Sequence, residues 1–354
     1  MKNKFLIPTF SLFISIAGLA QKNEIKYAQS QFNNGNLQEA LTSLKASEYL
    51  IVNAKDDDKS EFYNLKAKVL TSLADKNIET AKNFSLAVDA YQELLSEEAA
   101  SGNLKYTVLA KASIKDIKSK LSNSAYVDVV NNKHLDGANK LYYLYLMDKK
   151  DTLSLFKSAS YFMVAKEYDL ALKSYKELKS LNYAGKGMCY YALNKKSKIE
   201  EEFASLKERD LSVMAGLYEK PRNSVSLSKK TEIYKNIAFI YSEKGDLKTG
   251  EDYYKMIIDF DPQYIDAYTN LAYLYLDEKK ILVDEMSMLG TSPKDMKIYD
   301  EIKIKKDQVL KNAIVYLEKG NRISPKDTEV KNLLLNLYRA LDLTTEYNAL
   351  KARI

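Results

Sequence analysis

The 354-residue sequence holds one His, one Cys, no Trp, 5 Pro and 11 Gly. Zinc sites need about three or four N, S or O ligands, chiefly His and Cys, so one of each excludes most metal chemistry. A disulfide framework within the chain is excluded too, and any Ser-His or Cys-His catalytic set would have to use His134. That residue lies in Asn131-Asn132-Lys133-His134-Leu135-Asp136-Gly137, which reads as an exposed turn between helices. Cys189 reads as a buried small apolar residue. Gly185-Lys186-Gly187 lacks the glycine spacing and the Lys-Ser/Thr pair of a phosphate loop. Asp56-Asp57-Asp58 lacks the Gly and distal Glu of a calcium loop and reads as a solvated turn. Acidic runs such as Glu97-Glu98 and Glu200-Glu201-Glu202 suit charged helix faces, and they give no acid–base pair without a pocket to separate their pKa values. The expectation is a protein that is not an enzyme, with no cofactor and no metal.

Arginine is scarce as well. Only Arg209, Arg222, Arg322, Arg339 and Arg353 stand among 54 basic residues, dispersed among 48 acids at a formal charge of +6. Readers of nucleic acid rely on Arg for bidentate contacts, so no nucleic-acid partner is expected. What the sequence does contain is 46% apolar residues, 29% charged residues and 28 Tyr, enough for a packed interior.

Residues 1–20 begin with Lys2 and Lys4, continue in an apolar run from Phe5 to about Ile16, and end in Gly18-Leu19-Ala20. This is the three-part plan of a secretory leader, and the run, interrupted by Pro8, is too short to span a bilayer. Cleavage before Gln21 is expected, which lowers the formal charge to +4. No Cys follows to carry a lipid, and no later stretch is long and apolar enough to span, so no integral membrane segment is expected after cleavage.

From Gln21 onward apolar residues recur at spacings of three and four, as in amphipathic helices. Pro262 and Pro325 follow helical segments, and Pro221 and Pro293 fall in apparent loops. The helices also repeat. Tyr234-x2-Ile237-Ala238-x2-Tyr241, Gly245-Asp246, Gly250-x3-Tyr254-x2-Ile257 and Asp261-Pro262 form one unit, and Tyr268-x2-Leu271-Ala272-x2-Tyr275 begins the next 34 residues later. The second half of that next unit is Ala313-x3-Leu317 with Ile323 and Pro325, set off by an insertion at about 280–308. Leu155-x2-Ser158-Ala159-x2-Phe162, Tyr168-Asp169 and Ala171-x3-Tyr175 form an earlier unit. Tyr27-Ala28, Gly35-Asn36 and Ala40-x3-Leu44 form another, with degenerate pairs at Ala87-x3-Tyr91 and Ala138-x3-Tyr142, and Leu334-Leu335-x2-Tyr338 with Tyr347 and Leu350 closes the series.

This pattern resembles the tetratricopeptide repeat (TPR), and the chain is similar to exported TPR proteins of Gram-negative envelopes. The resemblance implies an all-α, TPR-type α-solenoid of six or seven antiparallel helical pairs. The expected organisation is a leader at 1–20, N-terminal TPR-like repeats at 21–183, an irregular connector at 184–230 with a short helix near Met188–Leu193, and a C-terminal TPR block at 231–354. The resemblance also implies a non-enzymatic scaffold, exported to the periplasm or envelope, that binds a protein or peptide in a groove lined by first helices. By repeat phase the groove residues are Ser160 and Met163, then Lys235, Phe239 and Ser242, then Thr269, Asn270, Tyr273 and Leu276. Lys235 and Asn270 fit a carboxylate clamp, but Phe239 replaces an Asn of that clamp, and Asn332 and Leu333 supply no Arg. Two rival readings are a glycan- or nutrient-binding helical-repeat protein, disfavoured by the absence of a lipid-bearing Cys, and an enzyme using carboxylates alone. Neither oligomeric state nor the role of the insertion follows from the sequence.

Overall fold

The computed structural model describes residues 10–185, 187–226 and 229–353. Among these, fifteen helices and one small sheet are present. Twelve of the helices form six helix–turn–helix pairs, three in each of two compact units, so the fold is the expected all-α array of TPR-type pairs with one β insertion. The chain divides after Glu167 into two compact units, and the 184–230 segment falls inside the second. Residues 1–9 of the expected leader lie outside the described residues, and from Phe10 the backbone is helical. No helix among the described residues is long and apolar enough to cross a membrane.

The first unit contains α1 (Phe10–Asn33), α2 (Leu37–Ile51), α3 (Asp56–Asp75), α4 (Thr80–Ser101), α5 (Thr107–Val130), α6 (His134–Met147) and α7 (Thr152–Val164). Gly35 makes the first turn at φ +81, a conformation open to Gly without steric cost. Ala28 and Ala40 are fully buried, which lets the flanking helices approach closely. Ala87 and Tyr91 enter the same core with Phe62, Leu70 and Leu94, and burying each large side chain contributes about 1.5–3 kcal/mol. At the α5–α6 crossing, Gly137 is required for fit, since a Cβ there would stand 2.6 Å from Val129 Cγ2 and 3.2 Å from the Ala125 carbonyl oxygen.

Three expectations for this unit change. Asp56, Asp57 and Asp58 are the first turn of α3, where carboxylates complement the helix dipole, and not a loop. His134 opens α6, and its half-buried ring stacks on Tyr161 at 5.9 Å and 4°. Glu98, expected on a solvated face, is 0% exposed. Its carboxylate accepts from the Tyr106 N–H at 2.7 Å and the Thr107 hydroxyl at 2.6 Å, capping α5 from the end of the preceding helix.

The second unit contains α8 (Tyr168–Ser180), a β insertion, then α10 (Lys230–Glu243), α11 (Leu247–Phe260), α12 (Ile265–Ser287), α13 (Pro293–Ile323), α14 (Thr328–Ala340) and α15 (Thr344–Lys351). The repeat motif accounts for the pairing. Ala238 lies under Gly250, where a Cβ would come within 3.2 Å of the Ala238 carbonyl oxygen, while Tyr254, Ile257, Leu271 and Leu317 fill the surrounding core. Gly245 turns at φ +81 and Asp246 caps α11 by accepting from the Thr249 N–H at 3.1 Å. Ser292 and Asp327 cap α13 and α14 in the same way.

Tyrosines fasten successive pairs. Tyr175 accepts from Asn236 at 2.8 Å, Tyr275 donates to Glu251 at 2.7 Å and Tyr338 donates to Glu318 at 2.8 Å. Lys179 of α8 sits 4.6 Å from the Tyr253 ring centre and 5.3 Å from that of Tyr234, adding cation–π attraction.

The insertion at 280–308 is no separate element. It lengthens both helices of one pair, α12 to 23 residues and α13 to 31. The added turns extend the core of the unit, with Leu282 buried in it and Ile302 packed against it, and Met286, Leu289 and Ile298 half-buried further out. Pro293, expected in a loop, occupies the first turn of α13, where its missing N–H costs nothing.

The expected helix near Met188–Leu193 is a strand. β1 (Gly187–Asn194) lies between β2 (Glu200–Phe203) and β3 (Tyr218–Ser226), both antiparallel to it. A short apolar run does not distinguish helix from strand by periodicity, and here paired aromatics and two strand partners prevail. Register pairs Tyr190 with Phe203 and Tyr191 with Arg222, with an irregularity beyond Tyr191 where Lys220 (φ +52) and Pro221 stand. Helix α9 (Leu206–Met214) covers one face. Its buried Arg209 lies over the Tyr190 ring and donates to the Arg222 carbonyl and to Asn223 Oδ1. On the other face Arg222 lies 4.3 Å from the Tyr191 ring centre and pairs with Glu200. Burial, then Cys189 and Glu202, pushes the Tyr191 phenol up to about 12. Cys189 is buried as expected.

Candidate functional site

The residues placed in a groove by repeat phase divide between the units. Ser160 and Met163 are half-buried on α7 in the first, and the Ser160 hydroxyl bonds back to the Phe156 carbonyl. The other seven lie on α10 and α12 in the second unit. There the first helices α10, α12 and α14 present one connected face, since Lys235 of α10 reaches the Tyr264 ring at the start of α12, and Tyr273 of α12 donates to Glu329 of α14 at 2.7 Å.

The structure separates these seven residues into two groups. Phe239 and Tyr273 are 38% and 41% exposed on neighbouring first helices. Phe239 meets Tyr168 edge-on at 6.1 Å, so its ring is braced on one side and open on the other. Lys235 and Leu276 are half-buried beside them. Thr269 is only 8% exposed and its hydroxyl bonds to the Ile265 carbonyl, which removes it from the accessible face. The Ser242 hydroxyl bonds to the Ala238 carbonyl and faces Gly250 of α11, so it serves the helix–helix contact. Asn270 spends its amide on the Asp266 carbonyl at 2.7 Å.

Sequence reasoning missed the carboxylates of this face. Glu232, Phe239 and Glu243 are spaced seven and four apart and therefore share one side of α10. Asp266, Tyr273 and Asp277 repeat that spacing on α12, and Glu329 with Asn336 continues it on α14. The available signal was an acid two residues ahead of each repeat's leading position, at 232, 266 and 329. Asp266 accepts from Tyr264 at 3.0 Å and Glu329 from Tyr273, and Glu329 raises the Tyr273 phenol above its ordinary value. No hydrogen bond or ion pair among the described residues engages Glu232, Glu243 or Asp277. Of the bases, Lys235 lies 5.9 Å from the Tyr264 ring centre, Arg339 is held on Tyr347, and Lys280 stands one turn beyond Asp277.

No group of His, Cys, Asp and Glu among the described residues is arranged to hold a metal ion. A hollow of about 390 Å³ lies at the Gly245–Lys248 turn beside Glu251, Leu274 and Tyr275, and neither Phe239 nor Tyr273 lines it.

No family model matches the chain. A 69-residue stretch is 36% identical to the uncharacterized protein ycf37 of Porphyra purpurea, covering 20% of this chain and 38% of that protein's length. Among solved structures, a TPR repeats protein (BF2334) of Bacteroides fragilis is 16% identical, with a TM-score of 0.33, over 77% of this chain and 98% of its own. A tetratricopeptide repeat protein of Parabacteroides merdae is 14% identical, with a TM-score of 0.27, over 91% and 100%. MamA is 14% identical, with a TM-score of 0.32, over 74% and 93%. At such scores the repeat assignment rests on this chain's own helix pairs.

Proposed function

We propose that the protein is a non-enzymatic, exported scaffold of the cell envelope or periplasm that binds a protein or peptide partner across the first-helix face of its second unit. One observation carries this reading: Phe239 and Tyr273, two large exposed aromatics, stand in a row on adjacent first helices. Aromatic anchors dominate the energetics of protein interfaces, and helical repeats offer extended binding surfaces. Export is supported by the basic, apolar and small-residue order of residues 1–20. The test is photocrosslinking in intact cells, with the photoreactive residue at position 239, or at exposed Val315 of the second helix α13 as the control. The expected result is one protein adduct from position 239, diminished by Tyr273→Ala and absent from position 315. Equal adducts from both positions would remove the reading, and an unshortened N-terminus on the cellular protein would remove export.

A further inference from the structure

The exposed charge on the first-helix face has one predominant sign. Glu232, Asp266 and Glu329 form a row at the entrance of the three first helices, and Glu243 and Asp277 form a second row near the exits of two. Residues at i and i+11 on one helix lie about 16 Å apart along its axis. Between the rows stand Phe239, Tyr273 and Asn336. Two of the rail carboxylates accept from tyrosine hydroxyls, which leaves their negative charge in place. Against these five carboxylates stand three bases, Lys235 and Arg339, which lie over rings of this chain and keep their charge, and Lys280 beyond the end of the second row, so the face keeps a negative excess.

We propose that this face accepts an amphipathic helix of a protein partner, with apolar side chains along its centre and Lys or Arg along both flanks. The inference rests on the scaffold reading above and specifies its partner. An α-helix with side chains is about 10–12 Å across, so it fits between rails about 16 Å apart, and flanking Lys or Arg side chains reach the carboxylates on each side. The apolar stripe meets Phe239 and Tyr273, whose rings supply desolvated contact area. A phosphate backbone brings the wrong sign of charge to both rails.

The test uses the chain from Gln21 onward and fluorescently labelled probes of about 20 residues, long enough for a stable helix of about 30 Å. The probes are a Leu/Phe-faced helix flanked by Lys, the same helix with Glu for Lys, and a single-stranded RNA. The Lys probe is expected to bind and to weaken as salt rises. The combined change Glu232→Gln, Glu243→Gln and Asp277→Asn, at side chains without hydrogen bonds or ion pairs, should weaken it about tenfold with circular dichroism unchanged. Phe239→Ala should weaken it as well. Equal or tighter binding of the Glu probe or the RNA, an unaltered affinity in the triple variant, or no binding of any probe would overturn the proposal. The crosslinking result is independent: an adduct at position 239 that survives the triple change leaves the scaffold reading standing without its charge rule. A triple-sensitive Lys probe without a cellular adduct does the reverse.

Discussion

The carboxylate of Glu98, wholly buried at the end of α4, caps α5 by accepting from the hydroxyl of Thr107 at 2.6 Å and the N–H of Tyr106 at 2.7 Å. One side chain thus fixes the turn between two pairs and satisfies a half-buried helix start. Glu98→Ala leaves these donors unsatisfied, at about 1–3 kcal/mol each. The expected outcome is a loss of about 2–4 kcal/mol in urea unfolding, with amide exchange accelerated first over the opening turns of α5. Glu98→Gln keeps an acceptor and should lose less. Equal exchange in wild type and Glu98→Ala would show that the cap is dispensable.

Two helical glycines should answer oppositely to a methyl group. At Gly137 the added Cβ meets the stiff Val129 side chain and the Ala125 backbone, and overpacking costs about 1–3 kcal/mol, more than the gain of about 1 kcal/mol in helix propensity. At Gly320 the nearest atom, Tyr268 Cβ, is 3.4 Å away, an ordinary contact. Gly137→Ala should lower the unfolding midpoint, whereas Gly320→Ala should leave it unchanged or raise it. A stabilised Gly137→Ala protein would show that the α5–α6 crossing has slack.

Alkaline sensitivity follows from the tyrosine fasteners. Burial first, then Glu251 or Glu318 respectively, holds the phenols of Tyr275 and Tyr338 above their ordinary value, and burial does the same for Tyr254 and Tyr264. Groups whose folded-state pKa is raised contribute stability that is intact below the unfolded value of about 10 and is lost as pH rises through the folded value. Stability of the second unit should therefore fall above about pH 10. Tyr275→Phe with Tyr338→Phe should cost about 1–3 kcal/mol at neutral pH and flatten the alkaline fall. An alkaline slope identical in the double variant would assign the loss to other groups.

The lengthened helices should be separable from the core beneath them. Leu282 and Ile302 still belong to the core of the unit, whereas Met286, Leu289 and Ile298 beyond them are only half-buried. Replacing residues 283–301 by a short Gly-Asp turn, which keeps Leu282 and Ile302, should preserve helicity elsewhere and cooperative unfolding of the unit. Collapse of that transition would make the arms part of the core.

The periodic parts of the molecule were readable because small–large alternation dictates helix contacts. Ala238 with Gly250, and Gly245 with Asp246, act as their spacing implies, and three pairs stand in each unit. The β insertion was not readable because Met188–Leu193 is too short for periodicity to choose a state, and its partners lie up to 37 residues away in sequence. Buried Glu98 escaped notice because its partners lie in the next helix start, where no residue-type rule points. On the first-helix face, phase found Phe239 and Tyr273, but it could not reveal that the hydroxyls of Thr269 and Ser242 turn back onto helix carbonyls.

The small sheet bears on how crowded copies of this protein behave. A strand at the margin of a sheet offers unpaired backbone groups that can seed joining between chains. Here one margin is four residues long and carries three consecutive glutamates, and the other is interrupted by Lys220 at positive φ and by Pro221, which has no N–H to give. Charge, brevity and proline are the devices that discourage such joining. The insertion therefore places β structure in a helical protein without offering its neighbours a template for fibre growth.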